Sequence, residues 1–372
     1  MSSTLETGTD PVRRLDDPAF LRSADPGGML AAIADLPAQC RRAWDGGTPL
    51  SVLPKILPPR RLFCAGMGGS AMGADLLRAY LNDRGRTPVQ VVRNYRLPAC
   101  AGEEDTVIAC SYSGETEESL SAYRDAKERG LFTICLTTGG RLAELGDASN
   151  DPVVPVAPTV QPRAALGSFF FLLLKLAADL KIFEPDHSEI DETMALMEEK
   201  ARDYSAETPL ADNQAKELAL AFHGRFPIFY AADTPLGPVG DRWRCQLNEN
   251  AKVLAHSAVI PEMCHNEIEG WRFPDNLMPL ALPIFLRGHP GHPRIETRFQ
   301  IVQGVLKSAG FESISLQAAG ETDLAGIFHL ILLGDFVSFY LAVLNGIDPT
   351  PMAKIDRLKA LLQETENSPE ES

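Results

Sequence analysis

A chain of 372 residues with 45% hydrophobic and 7% aromatic content is too long for one small core, and two domains are its natural division. Fifty acidic against 35 basic residues give a net charge of −15, which argues against nucleic acid or an anionic membrane surface as the partner. An anionic ligand must then find its positive potential locally, in single Arg or Lys side chains and helix N-termini inside clefts.

Along the chain, residues 1–25 are polar and read as a flexible lead; no basic region followed by an apolar one marks a signal peptide. Prolines at 11, 18, 26, 37, 49, 54, 58 and 59 leave the first 60 residues without the pattern of a helix-turn-helix. A strand from Arg61 then runs into Gly66-Met-Gly-Gly-Ser-Ala-Met-Gly73, with a helix expected over 74–82. This loop formally fits the dinucleotide fingerprint GxGxxG/A. At the end of the next strand, 89–92, Arg93 and Asn94 stand where that fingerprint wants an acid, which suits only a phosphorylated ribose.

The strand 106–110 leads into Ser111-Tyr-Ser-Gly-Glu-Thr116, and a helix over 117–129 stops at Gly130. Three hydroxyls and a glycine at a helix N-terminus offer unpaired N–H groups and the positive dipole end to an anion, above all a phosphate. No Lys follows the glycine, so this is no nucleotide P-loop; the bland alternative is ordinary N-capping. A strand at 132–136 follows. Residues 164–180 form a long apolar stretch, but Lys175 and Asp179 interrupt it and it is short for a membrane span, so it reads as a core helix.

The second half repeats the grammar. A strand at 226–232 precedes a proline-rich loop at 233–240, and residues 278–310 echo 106–130, with Arg287-Gly-His-Pro-Gly-His292 before a helix over 296–308 and a strand at 313–316. Strands alternating with helices predict α/β architecture: two doubly wound parallel sheets related by pseudo-duplication. The divisions are a lead at 1–25, a phosphate-binding domain at 26–200, a second domain with a C-terminal helix at 201–362, and an acidic tail at 363–372. Seven cysteines without a CxxC pair read as reduced thiols of a cytoplasmic protein.

Six motifs in order carry a family resemblance. Gly66-Met-Gly-Gly-Ser-Ala71, Ser111-Tyr-Ser-Gly-Glu-Thr116, Pro162-Arg-Ala-Ala-Leu-Gly167, Cys245-Gln-Leu-Asn-Glu-Asn-Ala-Lys252, Cys264-His-Asn-Glu-Ile-Glu-Gly-Trp271 and the run from Asp348-Pro-Thr-Pro to Lys359 resemble the bifunctional phosphoglucose/phosphomannose isomerases, a family of two sugar isomerase (SIS) domains. The likeness spans residues 25–362. It implies interconversion of glucose 6-phosphate or mannose 6-phosphate with fructose 6-phosphate through an enediolate, in a homodimer.

By the same resemblance, Gly68, Gly69, Ser70, Ser111, Ser113 and Thr116 bind the substrate, and Glu249 moves the proton between C1 and C2. His265, supplied by the partner subunit, assists ring opening, Arg163 stabilises the enediolate, and Lys359 contacts the sugar ring oxygens. Aldose–ketose isomerisation needs that set of acid, base and cation, and requires no cofactor and no metal.

Each residue also has a plainer reading. Glu249 could be an exposed helix residue, with Glu262, Glu267 and Glu269 as rivals; Glu267 and Glu269 could instead orient His265. His256 competes with His265, and Arg163 could merely pair with an Asp. Lys354 and Lys359, about 140° apart on one helix, cannot face the same cleft. His289 and His292 lie in a turn without the Cys or carboxylate partners of a metal site. Two other classes stay open: a non-catalytic sugar-phosphate sensor and an NADP-binding oxidoreductase.

Overall fold

A computed structural model describes residues 11–46, 58–289 and 291–366. Five short apolar runs form one parallel sheet: β1 (Leu62–Gly66), β2 (Val89–Val92), β3 (Thr106–Ser111), β4 (Phe132–Thr137) and β5 (Val153–Pro155), in the order β2-β1-β3-β4-β5. Four more form a second: β6 (Phe226–Ala232), β7 (His256–Ile260), β8 (Ala281–Arg287) and β9 (Ile314–Gln317), in the order β7-β6-β8-β9. The first four strands of each half thus share one 2-1-3-4 order, and every pairing is parallel. β3 and β8, the echoed segments, hold equivalent places. In both sheets the strand order reverses beside the first strand, where open α/β sheets bind ligands at the carboxyl ends.

One apolar core joins the halves. Cys64, Ile108 and Ile134 from the first sheet and Phe229, Ala231 and Ile284 from the second belong to the same buried cluster, with the helices Leu166–Asp179 and Asp323–Leu344 between them. The latter is 22 residues long and buried from Leu324 to Leu344. It is long and apolar enough to cross a membrane, and here it is the central core helix. Residues 164–180 also form a core helix, and Lys175 keeps its ammonium satisfied by donating to the Trp44 carbonyl at 2.9 Å. Glu189 ties the layers together: it accepts from the Tyr80 hydroxyl at 2.8 Å and from the Leu324 N–H at 3.0 Å at the start of the long helix.

Three sequence expectations are corrected. Residues 11–25 are not a flexible lead; they form the helices Pro11–Leu15 and Pro18–Ser23, whose Leu15 and Leu21 are fully buried. Pro11 and Pro18 occupy first helical positions, where the missing N–H costs nothing, and Asp17 caps the second helix through Ala19 and Phe20. Residues 1–10 lie outside the described residues. The helix expected from residue 74 begins at Gly68, so the glycine loop is its first turn and not a separate segment. Residues 363–366 of the expected acidic tail continue the helix Ala353–Glu366, and 367–372 lie outside the described residues.

Candidate active site

The glycine loop and the Ser111 loop leave the carboxyl ends of the paired strands β1 and β3, where Gly66 lies opposite Cys110. A cross-link joins them: the Tyr112 N–H donates to Ser70 Oγ at 3.1 Å. Within the second loop, Ser111 is buried and committed internally, donating to Thr116 Oγ1 at 3.0 Å and accepting from the Gly114 N–H at 3.1 Å. Thr116 holds the N-cap position of the helix Glu117–Glu128, yet its side chain makes no capping hydrogen bond. Ser113 is exposed and accepts from the Glu115 N–H at 3.2 Å. The loop thus uses one hydroxyl to hold its shape and presents the others at a helix N-terminus, an arrangement suited to an anion.

Arg163 sits on the turn Pro162–Ala165, only 2% exposed. Gly69 permits its approach: a Cβ there would lie 3.2 Å from the Arg163 Cα and from the Pro162 carbonyl. The guanidinium donates from Nε to Asn250 Oδ1 at 2.6 Å and from Nη2 to the Pro349 and Thr350 carbonyls at 2.9 and 3.0 Å. Nη1 is buried with no hydrogen-bond partner and faces Glu249 Oε2 at 3.8 Å. Burial pulls the Arg163 pKa down and Glu249 opposes that shift; the guanidinium stays charged at neutral pH.

Glu249 is carried by the helix Gly237–Gln246, which widens into an i→i+5 turn over Leu247–Ala251. Such turns recur at functional sites because they re-aim adjacent side chains. Here Glu249 and Asn250 both reach Arg163. A cavity of about 250 Å³ is lined by Gly68, Gly69, Met72, Arg242, Cys245 and Glu249, among others, and runs between the halves. It lies just below the usual size of small-molecule pockets, roughly 300–1,000 Å³. Arg93, weighed above as a ribose-phosphate ligand, lines it but is paired with Asp75. Lys252 adds a further cation beside this wall: it donates to the Glu249 carbonyl, and burial lowers its pKa, with Arg163 reinforcing the shift.

His265 does not join this group within one chain. Side chains alternate along β6, so Phe229 and Ala231 pack with Leu247 and Ala251 on the Glu249 side. Ile228 and Tyr230 pack with Met263, Cys264 and Ile268 on the other face. The sheet therefore separates Glu249 from the exposed His265. Of the rivals, Glu267 anchors that loop, accepting from Tyr230 Oη at 2.6 Å and pairing with His256 at 3.0 Å. Glu262 accepts from Asn266 at 2.9 Å. Lys354 and Lys359 are both exposed on the helix Ala353–Glu366, as are all its described side chains. His292 accepts from the Arg294 N–H, and no cluster of three metal-ligating groups occurs among the described residues.

Comparison with known proteins decides the family. A bifunctional phosphoglucose/phosphomannose isomerase of Caldicellulosiruptor bescii is 38% identical over 336 residues, covering 90% of this chain and 99% of the relative. The chain belongs to the bifunctional phosphoglucose/phosphomannose isomerase family. The member from Aquifex aeolicus is 33% identical over 83% of this chain and 92% of its own. Residues 55–149 of this isomerase-family chain match the SIS domain model, and 211–362 match the bacterial phospho-glucose isomerase C-terminal SIS domain. A solved glucose-6-phosphate isomerase like protein from Thermus thermophilus superposes with a TM-score of 0.61, covering 93% of this chain and 98% of that one. At 20% identity it speaks to the fold alone.

The sequence reading missed Arg242, Asn250, Asp335 and Ser338. Asn250 adjoins Glu249 in the Asn-Glu-Asn motif, so its position was visible while its contact was not.

Proposed function

We propose that this isomerase interconverts glucose 6-phosphate and mannose 6-phosphate with fructose 6-phosphate in the crevice above β1 and β3, with the division between its two domains at residues 200/201. The observation that carries the reading is Glu249, which lines a cavity with Gly68 and Gly69 and has the buried Nη1 of Arg163, without a hydrogen-bond partner, 3.8 Å from its carboxylate. A carboxylate is the base for a proton alpha to a carbonyl, and a buried cation beside it stabilises a developing enediolate oxygen. Ser113, Thr116 and the adjoining helix N-terminus hold the phosphate, while Ser70 and Ser111 fix the loops that present it.

The second part of the proposal is a cytoplasmic homodimer. Because sheet two parts His265 from Glu249, ring opening draws on His265 of a second copy. The C-terminal helix, whose described side chains are all exposed, carries Ile355, Leu358 and Leu361 within one arc of its surface, a face that a second copy covers while bringing Lys359 to the sugar.

The test follows fructose 6-phosphate formation from each aldose phosphate in the presence of EDTA. Both should be converted, Glu249→Gln should lower kcat by about a hundredfold or more, and Ser113→Ala with Thr116→Ala should chiefly raise KM. Full activity of Glu249→Gln would sink the reading.

A further inference from the structure

Arg163 has a second buried arginine behind it. Arg242 donates from Nε and Nη2 to the two oxygens of Asp335 at 3.1 and 2.7 Å, and its Nη2 also donates to the Arg163 carbonyl at 2.9 Å. Asp335 is 3% exposed and is the buried carboxylate of this wall; Arg242 takes up both of its oxygens. Arg163 is left with neutral acceptors: one side-chain amide and two backbone carbonyls. Glu249, at 3.8 Å, is beyond hydrogen-bond length.

The amide itself cannot turn over. Ser338 donates its only hydroxyl proton to the Asp335 carbonyl at 2.7 Å, so its oxygen can only accept. The Asn250 group facing it at 2.9 Å must then be the NH2, which puts the carbonyl oxygen against Arg163 Nε. The orientation follows from the inventory of donors and acceptors around the amide. A carboxylate at 250 would pair with the guanidinium at hydrogen-bond length; an amide holds it without adding a second negative charge beside Glu249.

We propose that Asn250, locked by Ser338, is a positioning residue of the isomerase: it holds the buried guanidinium of Arg163 so that Nη1 faces Glu249, the carboxylate that lines the crevice. The inference rests on the reading of Arg163 as the group that faces the enediolate oxygen.

Steady-state kinetics of the full-length protein with fructose 6-phosphate test it, with Arg163→Lys as the reference arm. Asn250→Asp keeps the size and the acceptor for Nε but adds the neutralising charge. It should lower kcat about a hundredfold with KM little changed, as expected when a charge-stabilising donor is disabled. Ser338, which touches neither Arg163 nor the cavity, accepts from the Asn250 NH2; Ser338→Ala removes that acceptor, loosens the amide and should lower kcat about tenfold. It should add nothing in an Asn250→Ala background. Thermal melting of each variant establishes that it is folded. If Arg163→Lys collapses kcat while folded Asn250→Asp and Ser338→Ala keep wild-type kcat, the positioning role is overturned and the site reading stands. Wild-type kcat in Arg163→Lys overturns both.

Discussion

Two glycines show how single residues set this site. Gly69 lets the first turn of its helix touch the turn that carries Arg163. Gly114 sits at φ +74°, and a Cβ there would lie 2.0 Å from the Gly139 carbonyl oxygen on the neighbouring loop. That oxygen is backbone and cannot swing aside. Gly114→Ala should therefore destabilise the protein by about 2 kcal/mol or more, and it should raise KM for the sugar phosphate by displacing Ser113. Thermal denaturation and KM together check this; an unchanged melting temperature would show that the two loops are not in contact. The glycine and serine pattern was legible in the sequence because turn chemistry is local. The contact between Gly114 and Gly139, and the roles of Asn250 and Ser338, were not, since partners 88 residues apart leave no trace in spacing.

At the scale of elements, the helix Ala353–Glu366 is amphipathic, and Ile355, Leu358 and Leu361 of its apolar face are exposed among the described residues. Ile355 is 39% exposed and Leu358 58%, unlike the core helices, whose apolar faces are covered. Burying these side chains would contribute gross stabilisation of about 1.5–3 kcal/mol each, enough to matter to assembly. The double variant Leu358→Glu with Leu361→Glu should convert a dimer into a monomer in sedimentation velocity at micromolar concentration, with loss of isomerase activity. A dimer of unchanged stability would place the interface elsewhere. A C-terminal helix was expected here from the sequence, while the exposure of its apolar face was not. Strand β7 was not legible: five residues of mixed polarity, His256–Ile260, become an edge strand only because β6 supplies a ladder for them.

For the molecule as a whole, the shared core sets how it answers to acid. His329, 3% exposed on the central helix, meets the Tyr204 hydroxyl at 2.9 Å and accepts from the Ala319 N–H at 3.1 Å. Burial pushes its pKa down from 6.5 to about 4. The unfolded chain therefore binds a proton between those values that the folded chain refuses, so stability falls as pH drops from 6.5 towards 4. The loss from this residue amounts to about 3 kcal/mol. Urea unfolding at pH 7 and pH 4.5 should show a smaller difference for His329→Gln than for wild type, provided the variant folds. An equal difference would assign the acid sensitivity to other groups.

Local chemistry was enough for the sequence to determine the α/β class, the glycine and serine loops at Gly66 and Ser111 and the motifs of the family, because turns, helix starts and apolar runs are written in neighbouring residues. Only the tertiary structure decided that the two sheets share one core, and that Arg163 and Glu249 meet from opposite halves of the chain while His265 lies behind a sheet. It also decided that the early prolines begin helices and do not loosen the chain. Those outcomes depend on which surfaces bury one another, and burial is a property of the whole fold.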